Sequence, residues 1–151
     1  MIRRALLGDG RALTRLAHAA KRHWIRLWRD SLTVAPMFIG RHPVWCAARG
    51  ARVLGFYALS GVGAAREFEH LWVAPSHIGR GMGALMFSHA VATLRADGAR
   101  RLRIASDPHA EGFYLRMGAP RVGEWPSTPR GRAFAAAGVG RRARERQAYL
   151  M

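Results

Sequence analysis

The stretch that decides the reading is LWVAPSHIGRGMGALMF, residues 71–87. Its beginning closes a run, residues 66–73, in which Glu67, Glu69, Leu71 and Val73 alternate with Phe68, His70 and Trp72, the two-residue period of a strand. From Gly81 onward Leu85, Met86, Ala90, Val91 and Leu94 keep a helical period as far as Arg95, and Gly98 supplies the stop. A strand end, a loop and a glycine-spaced helix start together make an anion cradle. Glycine lets the backbone approach a phosphate closely, the first helical N–H groups have no partner within the helix, and the macrodipole adds about half a positive charge. Gly79, Arg80, Gly81, Met82, Gly83 and Ala84 are the candidate pyrophosphate contacts, through their amides and through the Arg80 side chain.

Two other phosphate-binding patterns are tested by the same spacing. Residues 79–84 match the letters of the dinucleotide fingerprint, but that motif wants its first glycine directly after the strand, and Pro75, Ser76, His77 and Ile78 intervene. The nucleoside triphosphate loop fails, since no Gly-Lys-Ser or Gly-Lys-Thr is present.

Working outward, residues 2–7 read as a first strand, Asp9 as the N-cap of a helix over about 10–22, and residues 23–32, with Trp24, Ile25, Leu27 and Trp28, as a second helix. Pro36 and Pro43 bracket a loop or short helical turn. Residues 44–49 and 52–59 read as a hairpin about Gly50 and Ala51. After the glycine-led helix, Leu102 and Ile104 mark a strand, and Asp107 and Pro108 open a helix through Phe113, Tyr114 and Met117 that stops at Gly118. Beyond Trp125 the pattern decays into an Arg/Ala/Gly tail, residues 126–151, expected to be irregular or partly disordered, with residues 146–151 as the only closing strand. The element order is that of an α/β (α+β) fold in one domain of 151 residues.

Composition narrows the function classes. No uncharged run is long enough to span a bilayer, the N-terminus lacks the apolar middle of a secretion signal, and the single Cys46 forms no internal disulfide, so a cytoplasmic protein without a membrane segment is expected. The net charge of +16 invites a nucleic-acid reading. Of the twenty-five basic residues, twenty-four are arginine, a bias that genome base composition alone can produce, and they concentrate in residues 1–30 and 130–146. A solvated basic surface is therefore expected rather than specific nucleic-acid binding. No His, Cys and acid cluster has metal-ligand spacing, and no Ser/His/Asp arrangement is present.

Two blocks taken together, EHLWVAPSHIGRGMGALMF (residues 69–87) and DPHAEGFYLRMGA (residues 107–119), resemble the GNAT superfamily of acetyl-CoA-dependent N-acetyltransferases. VLGFYAL (residues 53–59) is similar to the family's third strand. The resemblance implies a mixed, mainly antiparallel central sheet flanked by helices, with acetyl-CoA as cosubstrate and no metal. It implies that the first block holds the pyrophosphate, that the strand backbone at Leu71, Trp72 and Val73 pairs with the pantetheine arm, and that the second block lies beside the thiol. Ile78 stands where the family usually has Gln or Arg, and His109 where it has Asn, so the cofactor contact at 109 falls to an imidazole. Tyr114 matches the general acid, which protonates the departing thiolate. The general base is either Glu67, which matches the catalytic glutamate of some members, or Glu69, which lies nearer the acetyl group and acts through water. The expected acceptor is a primary amine of a small molecule or peptide, and dimerising members of the family raise the expectation of a homodimer. Two rival readings stand beside this one: a non-catalytic CoA-binding or regulatory module of the same fold, and a basic nucleic-acid-binding protein.

Overall fold

The computed structural model describes residues 1–24, 33–106, 108–125 and 132–138. Strand β1 (Ile2–Arg4) is shorter than the expected 2–7, because Leu7–Asp9 winds into a 3-10 turn that runs directly into helix α1 (Gly10–Trp24). Asp9 does not cap α1. Its carboxylate turns back and accepts from the Arg3 guanidinium at 2.7 and 3.1 Å and from the Leu6 N–H at 2.8 Å. The buried side of α1 is Leu13, Leu16, Ala17 and Ala20, the helical spacing read from the sequence. Most of the second helix expected over 23–32 lies outside the described residues.

Helix α2 (Pro36–Arg41) fills the segment between the two prolines, starting on Pro36, whose missing N–H would have no helical partner at that position anyway. Strands β2 (Val44–Arg49) and β3 (Arg52–Ser60) form the expected antiparallel hairpin about Gly50, which takes the left-handed φ of 57° that the turn requires. Strand β4 (Ala65–Val73), a 3-10 turn (Pro75–His77) and helix α3 (Met82–Ala96) follow. At the end of α3 Gly98 takes φ 77° and the Ala99 N–H returns to the Leu94 carbonyl at 2.9 Å, so the helix stops where the glycine predicts. Strand β5 (Arg101–Ser106) alternates strictly, with Leu102, Ile104 and Ser106 buried. Helix α4 (Pro108–Arg116) stops in the same way as α3, at Gly118 with φ 81°. The N-cap expected at Asp107 lies outside the described residues.

Two further strands, β6 (Arg121–Trp125) and β7 (Arg132–Gly138), were not legible in the sequence. The tail therefore contains an ordered strand well before the closing one expected at 146–151, a segment outside the described residues. The strands hydrogen-bond in the order β1-β2-β3-β4-β5-β7-β6. β1–β2, β2–β3, β5–β7 and β6–β7 are antiparallel, and β4–β5 is parallel over residues 65–68 and 101–104. This is the mixed, mainly antiparallel sheet that was expected.

Two compact units divide the chain: Met1–Ser60 with His70–His89, and Gly61–Glu69 with the described residues from Ala90 on. The first has a core of Leu13, Leu16, Ala17, Val44, Phe56 and Ala58, with Trp72 packed against it. Its β3 is buried without interruption from Leu54 to Leu59 because both faces are covered: Phe56 and Ala58 face the α1 side, while the Tyr57 hydroxyl is hydrogen-bonded at 2.7 Å to Nδ1 of His89 on α3. Gly55 is needed where α3 comes down on the sheet, since a Cβ there would stand 2.6 Å from the Met86 methyl and 2.9 Å from the Trp72 carbonyl.

Candidate active site

The first unit builds the cradle. As β4 ends, the Ala74 N–H donates to the Leu54 carbonyl at 2.8 Å, and the 3-10 turn closes from the His77 N–H to the Ala74 carbonyl at 2.8 Å. The chain then turns through residues 78–81, with Gly79 at φ 74° and Gly81 at φ 80°, and α3 starts with the Leu85 N–H on the Gly81 carbonyl at 3.0 Å. The amides of Met82, Gly83 and Ala84 precede that first helical bond and have no carbonyl one turn behind them in the helix. No acidic residue occupies the first turn of α3, so the positive end of its dipole is not neutralised from within. A Cβ built on Gly79 or on Gly81 meets no atom within 4 Å, which leaves open space over the turn. Arg80, between the two glycines, is exposed. The residues present therefore fit a pyrophosphate: amides without a partner in the helix, open space at Gly79 and Gly81, and no acid in the first turn of α3.

Leu71, Trp72 and Val73, the last residues of β4, are half-buried, and the Trp72 indole Nε1 is buried with no hydrogen-bond partner among the described residues. No signal in the sequence pointed to that orphaned donor.

The second unit holds the remaining predicted groups. Glu67 and Glu69 fall on one face of β4 by strand alternation. They are not equivalent. In the parallel register Glu67 lies opposite Arg103 of β5, and the two form an ion pair at 2.8 Å, both side chains more than a third exposed. Glu69, two residues on, is exposed and beyond the parallel pairing with β5, which covers residues 65–68. Arg103 is the residue that sequence reading missed, because a parallel register that pairs residues 36 apart leaves no local mark. On α4, His109 is exposed near the helix start, and Tyr114 is buried at 6% exposure. The Tyr114 ring meets Phe68 edge to face at 6.3 Å and Phe113 at 5.1 Å, so the phenol is held by packing on two sides. Among the described residues, no group of three His, Cys, Asp or Glu is gathered closely enough to hold a metal ion, and no helix is long and apolar enough to cross a membrane.

The family model described as an acetyltransferase (GNAT) domain matches residues 40–118, more than half of the chain, a span that contains both the cradle and α4. The chain belongs to the GNAT acetyltransferase family. Solved GNAT structures agree in fold. An N-acetyltransferase from Staphylococcus aureus Mu50 is 17% identical, with 93% of this chain and 98% of that one covered at a TM-score of 0.75. A putative GNAT acetyltransferase from Desulfovibrio desulfuricans is 16% identical, covering 93% and 99% at a TM-score of 0.77. A putative acetyltransferase from Salmonella typhimurium, solved with its cofactor acetyl-CoA, is 17% identical, covering 96% of each chain at a TM-score of 0.74. At these identities the likeness carries the fold and leaves the acceptor to be argued from this chain's own residues. No curated protein sequence matches the chain at a significant level.

Proposed function

We propose that this GNAT protein transfers the acetyl group of acetyl-CoA directly to a primary amine of a small molecule or peptide. The observation that carries the proposal is the turn at 79–84: two left-handed glycines under open space, leading into a helix start whose amides and dipole have no anion of their own. Bound there, acetyl-CoA supplies an acetyl group already activated as a thioester. The amides of Gly79, Gly81, Met82, Gly83 and Ala84 hold its pyrophosphate, with Arg80 as a side-chain contact and His109 as a second-block contact. The backbone of Leu71, Trp72 and Val73 pairs with the pantetheine arm and polarises the carbonyl.

An alkylamine is protonated at neutral pH and has no lone pair to attack with, so a base must first take its proton. Glu67 and Glu69 are both carboxylates on the same strand face. The base is Glu67 or Glu69; at Glu67, taking the proton would cost the ion pair with Arg103. Tyr114 donates its hydroxyl proton to the departing sulfur, with its ring orientation fixed by Phe68 and Phe113.

Isothermal titration with acetyl-CoA tests the cradle, and thiol release across a panel of amines tests the transfer. Binding with release on at least one amine is the expected outcome. Binding with no release on any amine would favour a non-catalytic CoA-binding module, and no heat at millimolar acetyl-CoA would end the proposal. With an active amine in hand, Glu67→Gln and Glu69→Gln separate the two: the variant that removes the base is expected to lower kcat by about 100-fold or more, the usual worth of a general base. The other variant is expected to lower it less than tenfold, and less than tenfold in both would remove the general base from this strand face.

A further inference from the structure

The first unit is far from electroneutral. Outside residues 25–32 it carries six arginines and lysines in residues 1–24, three in residues 33–60, and Arg80, against a single acid, Asp9, which is already paired with Arg3. Most of these cations stand apart on the surface, but two share a hollow. A cavity of about 310 Å³ opens between α1, the start of β3 and the segment just after β4, lined by Arg15 and Arg52 and floored by small residues that include Ala12, Ala19, Ala51 and Ala74. Both arginines are exposed, and among the described residues neither side chain has a hydrogen bond or an ion pair. No carboxylate lines the cavity. Its residues are distinct from the turn at 79–84.

We propose that this hollow is a second binding site, separate from the acetyl-CoA cradle, for a small phosphomonoester. Two arginines lining one hollow can together offer more N–H donors than a carboxylate can accept, a set that suits the three terminal oxygens and near-double charge of a phosphate monoester. Apart from the two arginines the lining has no hydrogen-bonding side chain, which suits an apolar or flat body carrying the phosphate. The hollow is open to solvent and its volume is at the lower end of the range of small-ligand sites, which suits a body of about one ring. The inference stands on the cavity and its charge and does not require acyl transfer to be the chain's activity.

The test uses the full chain and phenyl phosphate as the probe, titrated by calorimetry with acetyl-CoA absent and again with acetyl-CoA saturating. Saturable binding in both conditions is expected, weakened about tenfold by Arg15→Ala and by Arg52→Ala, and unchanged by Arg11→Ala on the same helix outside the hollow. Benzoate, with the same ring and a carboxylate, is expected to bind at least fivefold more weakly. Three results overturn the proposal: no binding at 10 mM probe in wild type, equal loss in all three variants, or complete displacement by acetyl-CoA, which would make the hollow part of the cofactor site. Benzoate binding as well as phenyl phosphate would overturn the ligand class. All three positions are exposed, so thermal melting serves to show that each variant is folded.

Discussion

Two strand-to-helix junctions in the first unit solve the same electrostatic problem in opposite ways. Both pass from a strand through a 3-10 turn into a fifteen-residue helix: β1 to α1 through Leu7–Asp9, and β4 to α3 through Pro75–His77. The first contains its own anion. Asp9 sits at the entrance of α1 with its carboxylate on Arg3 and the Leu6 amide, so the junction is closed on itself. The second contains none. In place of a carboxylate it has four further residues, 78–81, with glycines at φ 74° and 80°, and the first turn of α3 has no acid. A helix start supplied with an internal anion is a structural joint, whereas one left without it, and with its amides uncovered, is ready for a ligand.

The difference is broken most severely at Gly81. A non-glycine residue at φ 80° costs about 1–3 kcal/mol of backbone strain, and a branched side chain would stand in the open space over the turn. Gly81→Val is therefore expected to weaken acetyl-CoA binding by about 30-fold, equivalent to ~2 kcal/mol, measured by isothermal titration. Circular dichroism should retain the helix content, since α3 continues through Met86, Phe87, Ala90 and Leu94, all buried. An unchanged Kd would mean that the phosphates are held elsewhere.

The open junction was legible in the sequence and the closed one was misread, for a physical reason. Glycines at 79 and 81 act locally, through their own φ angles, and so announce the turn at once. Asp9 also looks local, and reads as a forward N-cap, but its true partner is Arg3, brought back to it by the turn that β1 makes at Leu6. The same distinction runs through the rest of the chain. The hairpin about Gly50, the stops at Gly98 and Gly118 and the buried side of α1 are written in short-range patterns. β7, RAFAAAG, has no β-branched residue and no alternation; it is a strand because β5 pairs on one side of it and β6 on the other. The ion pair of Glu67 with Arg103 depends on the β4–β5 register, and the Arg15–Arg52 hollow on three segments remote in sequence.

If the comparison is right, giving the open junction an anion of its own should convert it toward the closed kind. Ala84→Asp places a carboxylate in the first turn of α3, where the dipole favours it by about 0.3–1 kcal/mol. Thermal melting is expected to rise by about 1–3 °C. Acetyl-CoA affinity is expected to fall about tenfold, because the new charge repels the pyrophosphate and competes for the same amides. Both shifts should diminish together as salt is raised. A rise in stability with no loss of affinity would separate the helix dipole from cofactor binding.

The smallest effect concerns the closed junction. The Arg3 guanidinium, donating to Asp9, is the main cause holding the Asp9 carboxyl below its ordinary range, and the Leu6 amide adds to it. Because the folded value is then below the unfolded one of about 3.9, the pair stabilises the fold fully above that pH and loses its contribution as pH falls through the folded value. Asp9→Asn keeps an acceptor and removes the charge. At pH 7 it is expected to cost about 1 kcal/mol, held to that size by partial exposure of the pair, and to lower the melting temperature by about 2–4 °C. Below about pH 4 the wild type and the variant should converge, since the wild-type carboxyl is then being protonated as well. Acetyl-CoA affinity should be the same in both, because this junction closes on itself. A melting gap that persists undiminished at pH 2 would show that Asp9 holds the turn by shape, and the contrast between a charged joint and an uncharged cradle would then lose its electrostatic half.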